Sequence, residues 1–164
     1  MARLPRRQAL VRAALPGLLP LLAPAPAAAG DVTVFLASAT PRDVWGAGYG
    51  GAISTTWFRV LSFEGEVARL SGEGEDESMT SFMASAHLAP PIGSLVPYGG
   101  LGVGLFRQSR TGDSDTGTLK TLVLGVRLKL GLLVLKGEYR RIDLSGEPLF
   151  PLEHRLSIGG GISF

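Results

Sequence analysis

His87 and His154 are the only histidines of a 164-residue chain that contains no cysteine, so acid–base or nucleophilic chemistry at neutral pH has few side chains to draw on. Ser157 follows His154 by three residues. A His–Ser pair of that kind could serve a hydrolase or an acyltransferase, provided both side chains shared a face. On a strand they do not, because residues three apart point to opposite sides and the same-face neighbour of His154 is Leu156. His87 shares its parity with Ser81, Met83 and Ser85, which reads as an interior residue hydrogen-bonded to its neighbours. The acids Glu73, Glu75, Asp76 and Glu77 in GEGEDES, and Asp113 and Asp115 in TGDSDTG, carry charge enough for a divalent cation. Neither run supplies the later ligands of an EF-hand loop, so both read as solvated loop tips. The glycines of GLGVGLF lie inside a strand pattern with no following helix to receive a phosphate. No metal, no cofactor and no nucleic-acid surface is expected. The charged residues left to explain are Glu64, Glu66, Arg127, Lys136 and Glu138.

Their placement follows from the elements that carry them. The run LVLGVRLKLGLLVLKGEYRR from Leu122 to Arg141 is long and apolar enough for a membrane helix, yet six charges interrupt it. On a helical wheel Arg127 and Glu138 fall opposite Lys129, Lys136 and Arg140, and no apolar stripe survives. With a period of two, Leu122, Leu124, Val126, Leu128 and Leu130 share one face. The parity switches after Gly131, as a two-residue hairpin loop at Gly131-Leu132 requires, with glycine first as a type II′ turn prefers.

The same alternation gives strands near Val32–Ala39, Gly46–Thr55, Trp57–Leu70, Ser78–Ala89, Val96–Gln108, Thr118–Leu130, Leu133–Leu144 and Glu153–Phe164. Polar links such as SGEGEDE, SRTGDSDTG and SGEPLFP alternate with short or proline-bearing ones near Thr55-Thr56, in PPIGSL and at Gly131-Leu132. The fold class expected is all-β, an eight-stranded antiparallel up-and-down transmembrane β-barrel.

Alternation by itself fits two barrels, a soluble one with an apolar core and a membrane one with a polar lumen. In YGGLGVGLF, Leu101, Val103 and Leu105 occupy one face, while Gly100, Gly102 and Gly104 occupy the other with Tyr98 and Phe106. Three glycines weaken a water-exposed strand face but leave room inside a narrow barrel for bulky or charged neighbours. The polar face is therefore read as the interior. Arg127 then sits opposite Lys136 with Glu138 on the diagonal, a like-charge pair that needs acids nearby. Glu64 and Glu66 of SFEGEV share one face, and the five residues are expected to form an ion-pair network in the lumen. Arg59 falls on the apolar parity of its strand, either at the membrane edge beside Trp57 or at a bulge. Arg107 and Arg110 fall at the loop rim, where lipid phosphates are within reach.

Charge separates the chain into two parts. The first 29 residues contain Arg3, Arg6, Arg7 and Arg12 and no acid, which leaves twelve Lys and Arg against fourteen Asp and Glu in the remainder. An arginine-bearing start, the apolar AALPGLLPLLA and the small Ala27-Ala28-Ala29 read as a signal peptide over 1–29, followed by one barrel domain over 30–164. Pro16, Gly17 and Pro20 interrupt a segment already shorter than the roughly 20 residues of a membrane helix.

The last segment, EHRLSIGGGISF, alternates Leu156, Ile158, Gly160, Ile162 and Phe164 on one side. With the leader and the Gly-rich strands, it makes the sequence from Asp31 to Phe164 resemble the small eight-stranded outer-membrane β-barrel proteins of bacteria. That resemblance implies residence in the cell outer membrane, with both termini in the periplasm and Phe164 read as a terminal signal by the assembly machinery. It also implies periplasmic chaperones during biogenesis, contact with outer-membrane lipid and lipopolysaccharide, and a monomer. The leading functional expectation is a non-enzymatic structural or surface-interaction barrel with a side-chain-plugged lumen. A small channel or carrier for a hydrophobic ligand, and a lipid A-modifying enzyme, are the alternatives.

Overall fold

A computed structural model describes residues 29–40, 45–72, 76–110, 112–146 and 148–164. Of the segment read as a signal peptide, residues 1–28 lie outside the described residues and Ala29 begins the first strand; Glu73 and Glu75 also lie outside them. Eight strands follow in chain order: β1 (Ala29–Thr40), β2 (Trp45–Trp57), β3 (Leu61–Gly72), β4 (Ser78–Leu88), β5 (Leu95–Arg110), β6 (Asp113–Leu130), β7 (Leu133–Ser145) and β8 (His154–Ser163). Each pairs antiparallel with the next, and β1 pairs with β8 to close the barrel. The seam is hydrogen-bonded to its end, with Gly30 N donating to Phe164 O at 2.8 Å and Phe164 N to Gly30 O at 2.9 Å. The shortest strand, β8, has 10 residues, and about 9–11 tilted residues cross a hydrocarbon layer. No helix occurs among the described residues.

Alternation decides which side chains face out. Val34 and Leu36 are each 68% exposed, Leu101 68% and Ile158 73%, while their in-between neighbours Phe35, Gly102 and Ser157 are buried. The barrel is thus apolar outside and largely polar inside, the arrangement of a wall in lipid.

At Gly131-Leu132 the register agrees with expectation: Leu130 pairs with Leu133, Arg127 with Lys136, and Gly131 has φ 66°. Two connections depart from it. β2 continues through Trp57, which pairs with Leu61, so the reversal falls on Phe58 and Arg59 rather than near Thr55-Thr56. Arg59 is accordingly neither a strand residue nor a bulge. It occupies the turn with φ 65°, next to Phe58 at φ 51°, closed by Val60 N donating to Trp57 O at 3.3 Å. Two consecutive positive φ angles are those of a type I′ turn, whose twist matches the flanking strands.

The second departure is the link read as a loop from Ser109 to Gly117. β5 and β6 pair out to Arg110 and Asp113, so the polar residues there belong to a long hairpin. Backbone pairing continues where apolar content ends, because the ladder is made of main-chain hydrogen bonds and needs no greasy face.

Candidate functional site: a charged lumen under an apolar cap

Inward positions on β3, β6 and β7 converge at mid-barrel. Glu64 is 4% exposed, Glu66 4%, Arg127 1%, Lys136 4% and Glu138 3%. Glu64 accepts from Arg127 Nη2 at 3.1 Å, from Lys136 Nζ at 2.7 Å and from Arg140 Nη2 at 2.9 Å. Lys136 Nζ also lies 3.0 Å from Glu138 Oε2. Arg127 and Lys136, adjacent like charges in register, are therefore reconciled by one carboxylate that both reach.

Four charged residues join the five expected from sequence. Arg140 bridges Glu64, Glu66 at 3.0 Å and Glu138 through a short Nε contact. Arg155 Nη2 reaches Glu66 Oε1 at 2.6 Å, and its guanidinium lies 5.3 Å from the centre of the Phe35 ring. Asp31 receives Lys129 Nζ at 2.9 Å and faces Arg127 Nη1 at 3.7 Å. Parity carries the signal for two of these: Arg140 is two residues past Glu138 on the same face, and Arg155 is opposite in sense to Leu156. Their side-chain targets, on β3, are visible only after closure.

Oxygens of Glu64, Glu66 and Glu138 lie within 4.8 Å of one another, a spacing a divalent cation could use. The positive charge among them is supplied by Arg140, whose guanidinium contacts all three. Tyr98 completes the layer. It donates from its hydroxyl to Glu138 Oε2 at 2.8 Å, and the Arg127 guanidinium stacks 4.6 Å from its ring centre. The reach is possible because Tyr98, Gly125 and Glu138 lie side by side on β5, β6 and β7. A Cβ on Gly125 would sit 2.4 Å from Tyr98 Cζ, so only glycine lets the ring lie flat across β6.

Toward the end opposite the chain termini the lumen turns apolar. Leu70, Met79, Phe106, Leu119 and Ile142 pack there with Phe150 and Leu152 from the β7–β8 link. That link was read as polar and turn-rich, yet it folds inward. Gln108 Nε2 donates to Phe150 O at 2.9 Å, and Phe150 N donates to Gln108 Oε1 at 3.1 Å. Arg110 lies 5.6 Å from the Phe150 ring centre and pairs with Glu77 at 3.3 Å. Glu77 is thus a strut of the cap rather than a solvated loop tip. Apolar residues serve here because a capped barrel end is shielded from water much as a domain core is.

His87 is inward and 1% exposed, but neither ring nitrogen has a protein hydrogen-bond partner among the described residues. The expected bonds to its neighbours are replaced by a ring contact with Tyr98, 5.1 Å between centres. His154 faces outward and stacks on Tyr139, whose hydroxyl lies 2.9 Å from its Nδ1. Ser157 is buried on the opposite, inner face, so no His–Ser pair forms. Asp115 points inward beside Gln108 on the neighbouring strand, and Asp113 is exposed at the hairpin tip. Arg107 faces outward from β5. Phe164 is 69% exposed on the outer wall, with its ring over Gly30.

No protein-family profile matches the chain, and no curated protein is similar to it in sequence. Solved structures are similar to it in fold. The N-terminal β-barrel domain of Pseudomonas aeruginosa OprF is 17% identical with a TM-score of 0.55, over 83% of this chain and 97% of that one. Neisserial surface protein A is 18% identical with a TM-score of 0.55, over 83% of this chain and 94% of that one. Ail of Yersinia pestis, solved with the heparin analogue sucrose octasulfate, is 14% identical with a TM-score of 0.54, over 84% and 99%. The closed eight-stranded, all-antiparallel architecture of this chain is the one found in the small outer-membrane β-barrels.

Proposed function

We propose that the protein is a non-enzymatic barrel of the bacterial outer membrane, with a structural or surface-interaction role and a lumen closed by its own side chains. The observation that carries this reading is two layers across the interior: a buried ion-pair layer at mid-height, and an apolar layer above it that includes Phe150 and Leu152. Solute passage would require breaking buried pairs or displacing packed apolar groups, each costly. The outer-membrane address is supported by the apolar exterior, since a water-soluble barrel exposing Val34, Leu36, Leu101 and Ile158 together would aggregate. The architecture shared with outer-membrane barrels supports the same address.

In this setting the protein is a monomer among outer-membrane lipid and lipopolysaccharide. The segment 1–29 is removed on export, periplasmic chaperones hold the unfolded chain, and the assembly machinery reads Phe164. Planar-bilayer recording tests the closed lumen. The unmodified protein is expected to give no steps, with Arg127→Ala as a variant that loosens the charged layer; regular conductance from the unmodified protein would discard the reading.

A further inference from the structure

The outer wall carries a polar plate that neither the lumen nor the fold requires. Tyr49, Arg69, Thr80, Arg107 and Thr116 are direct partners across β2 to β6. Immediately beyond this row, toward the capped end, Ser71, Ser78, Ser109 and Ser114 form a second one. Both rows lie on the outward parity, and neither contains a carboxylate. Arg69 and Arg107 are exposed and form no ion pair among the described residues, whereas Arg110, three residues on, is held by Glu77. With one strand between them, their Cα atoms are about 10 Å apart.

Directly below the plate the outer face becomes apolar at Val67, Phe82 and Leu105, which are again direct partners. An open groove of about 700 Å³ begins there and runs on past Gly65 and Ala84. The groove exists because Gly65 and Ala84 are small where their outward neighbours are large. A Cβ at Gly65 would meet only Ile53 Cγ2, at 3.9 Å.

We infer that Arg69 and Arg107, with the hydroxyls around them, seat the headgroup of a diphosphorylated, acylated glycolipid of the outer leaflet, and that the groove below takes one of its acyl chains. The inference rests on the outer-membrane reading above and names one lipid partner for it. Guanidinium forks match phosphate oxygens, a hydroxyl plate suits a sugar, and within the two rows no carboxylate competes for the arginines or repels a phosphate. A bilayer provides that sequence of chemistries in that vertical order.

The test uses the chain refolded in detergent micelles, with native mass spectrometry of titrations by diphosphoryl lipid A, monophosphoryl lipid A and phosphatidylglycerol. Diphosphoryl lipid A is expected to bind tightest. The double variant Arg69→Gln with Arg107→Gln is expected to weaken it by about tenfold or more, as loss of charge-assisted contacts would. Gly65→Leu, which fills the groove without a backbone clash, is expected to weaken all three lipids. Lys120→Gln with Arg141→Gln removes two other outward cations, Lys120 directly opposite Asp143 and Arg141 two residues before it on β7, and is expected to leave binding unchanged. Equal binding of phosphatidylglycerol, unaltered binding by the double arginine variant, or an equal loss in the Lys120 and Arg141 control would each overturn the inference. Gel mobility before and after boiling, on the same samples, separates the two levels. A chain that shifts on boiling but does not bind loses only the lipid seat, whereas one that never shifts loses the membrane reading as well.

Discussion

Among the described residues Arg140 alone contacts all three of Glu64, Glu66 and Glu138, which makes it central to the interior. Replacing it with alanine leaves three buried carboxylates short of a cation. Arg140→Ala is therefore expected to cost about 3–5 kcal/mol, read as a lower urea midpoint for the folded form on unboiled gels. Arg140→Lys retains the charge but not the fork and should fall between the two. A midpoint unchanged by Arg140→Ala would mean that the layer contributes nothing to stability. The sequence pointed to five of these charges by parity, but it could not rank them. Arg140 is central only because closure brings β3 within reach of β7, and that proximity has no signature along the chain.

Glycines and turns set the scale of the strand. Gly125 falls on the inward parity of β6, and the barrel uses it to let Tyr98 lie across that strand and reach Glu138. Gly125→Ala is expected to displace the ring and break the Tyr98–Glu138 bond, a loss of about 1.5–3 kcal/mol. The tyrosine fluorescence of folded and unfolded protein, with the urea midpoint, would show whether the ring has moved. At the other end of an element, Arg59 holds φ 65° without being glycine. Left-handed backbone costs an L-residue about 1–2 kcal/mol, so Arg59→Gly is expected to raise the thermal midpoint of the folded band; a lowered midpoint would show that the arginine side chain outweighs the strain. The strand parities were legible beforehand because they depend on nearest neighbours. The turn was misplaced by a few residues because Thr55, Thr56 and Trp57 all suit a strand, and only the pairing with Leu61 extends β2 through them.

For the molecule as a whole, the proposed closure sets two barriers in series, so on that reading removing one should not open the lumen. The pair Phe150→Ala and Gln108→Ala takes the Phe150 ring out of the apolar layer and removes both hydrogen bonds between Gln108 and the β7–β8 link. The variant is expected to become more sensitive to external protease at that link while still giving no conductance steps, because the charged layer remains. Steps from this variant would place the main barrier in the cap instead. The inward fold of the link was not legible: SGEPLFP has the glycine and prolines of a surface loop, and Phe150, with Leu152 just beyond it, gains a burial site only once eight strands enclose one.

Local alternation of residue types settled the strands, their faces and the placement of charge away from the apolar side, since a period of two is a property of adjacent residues and needs no partner. Closure of the barrel decided the rest. Which cation meets which carboxylate, which link turns inward as a cap, and which outward arginines share a row all depend on register between strands far apart in sequence. Free energy that depends on such distant contacts can be written into a chain without being visible along it.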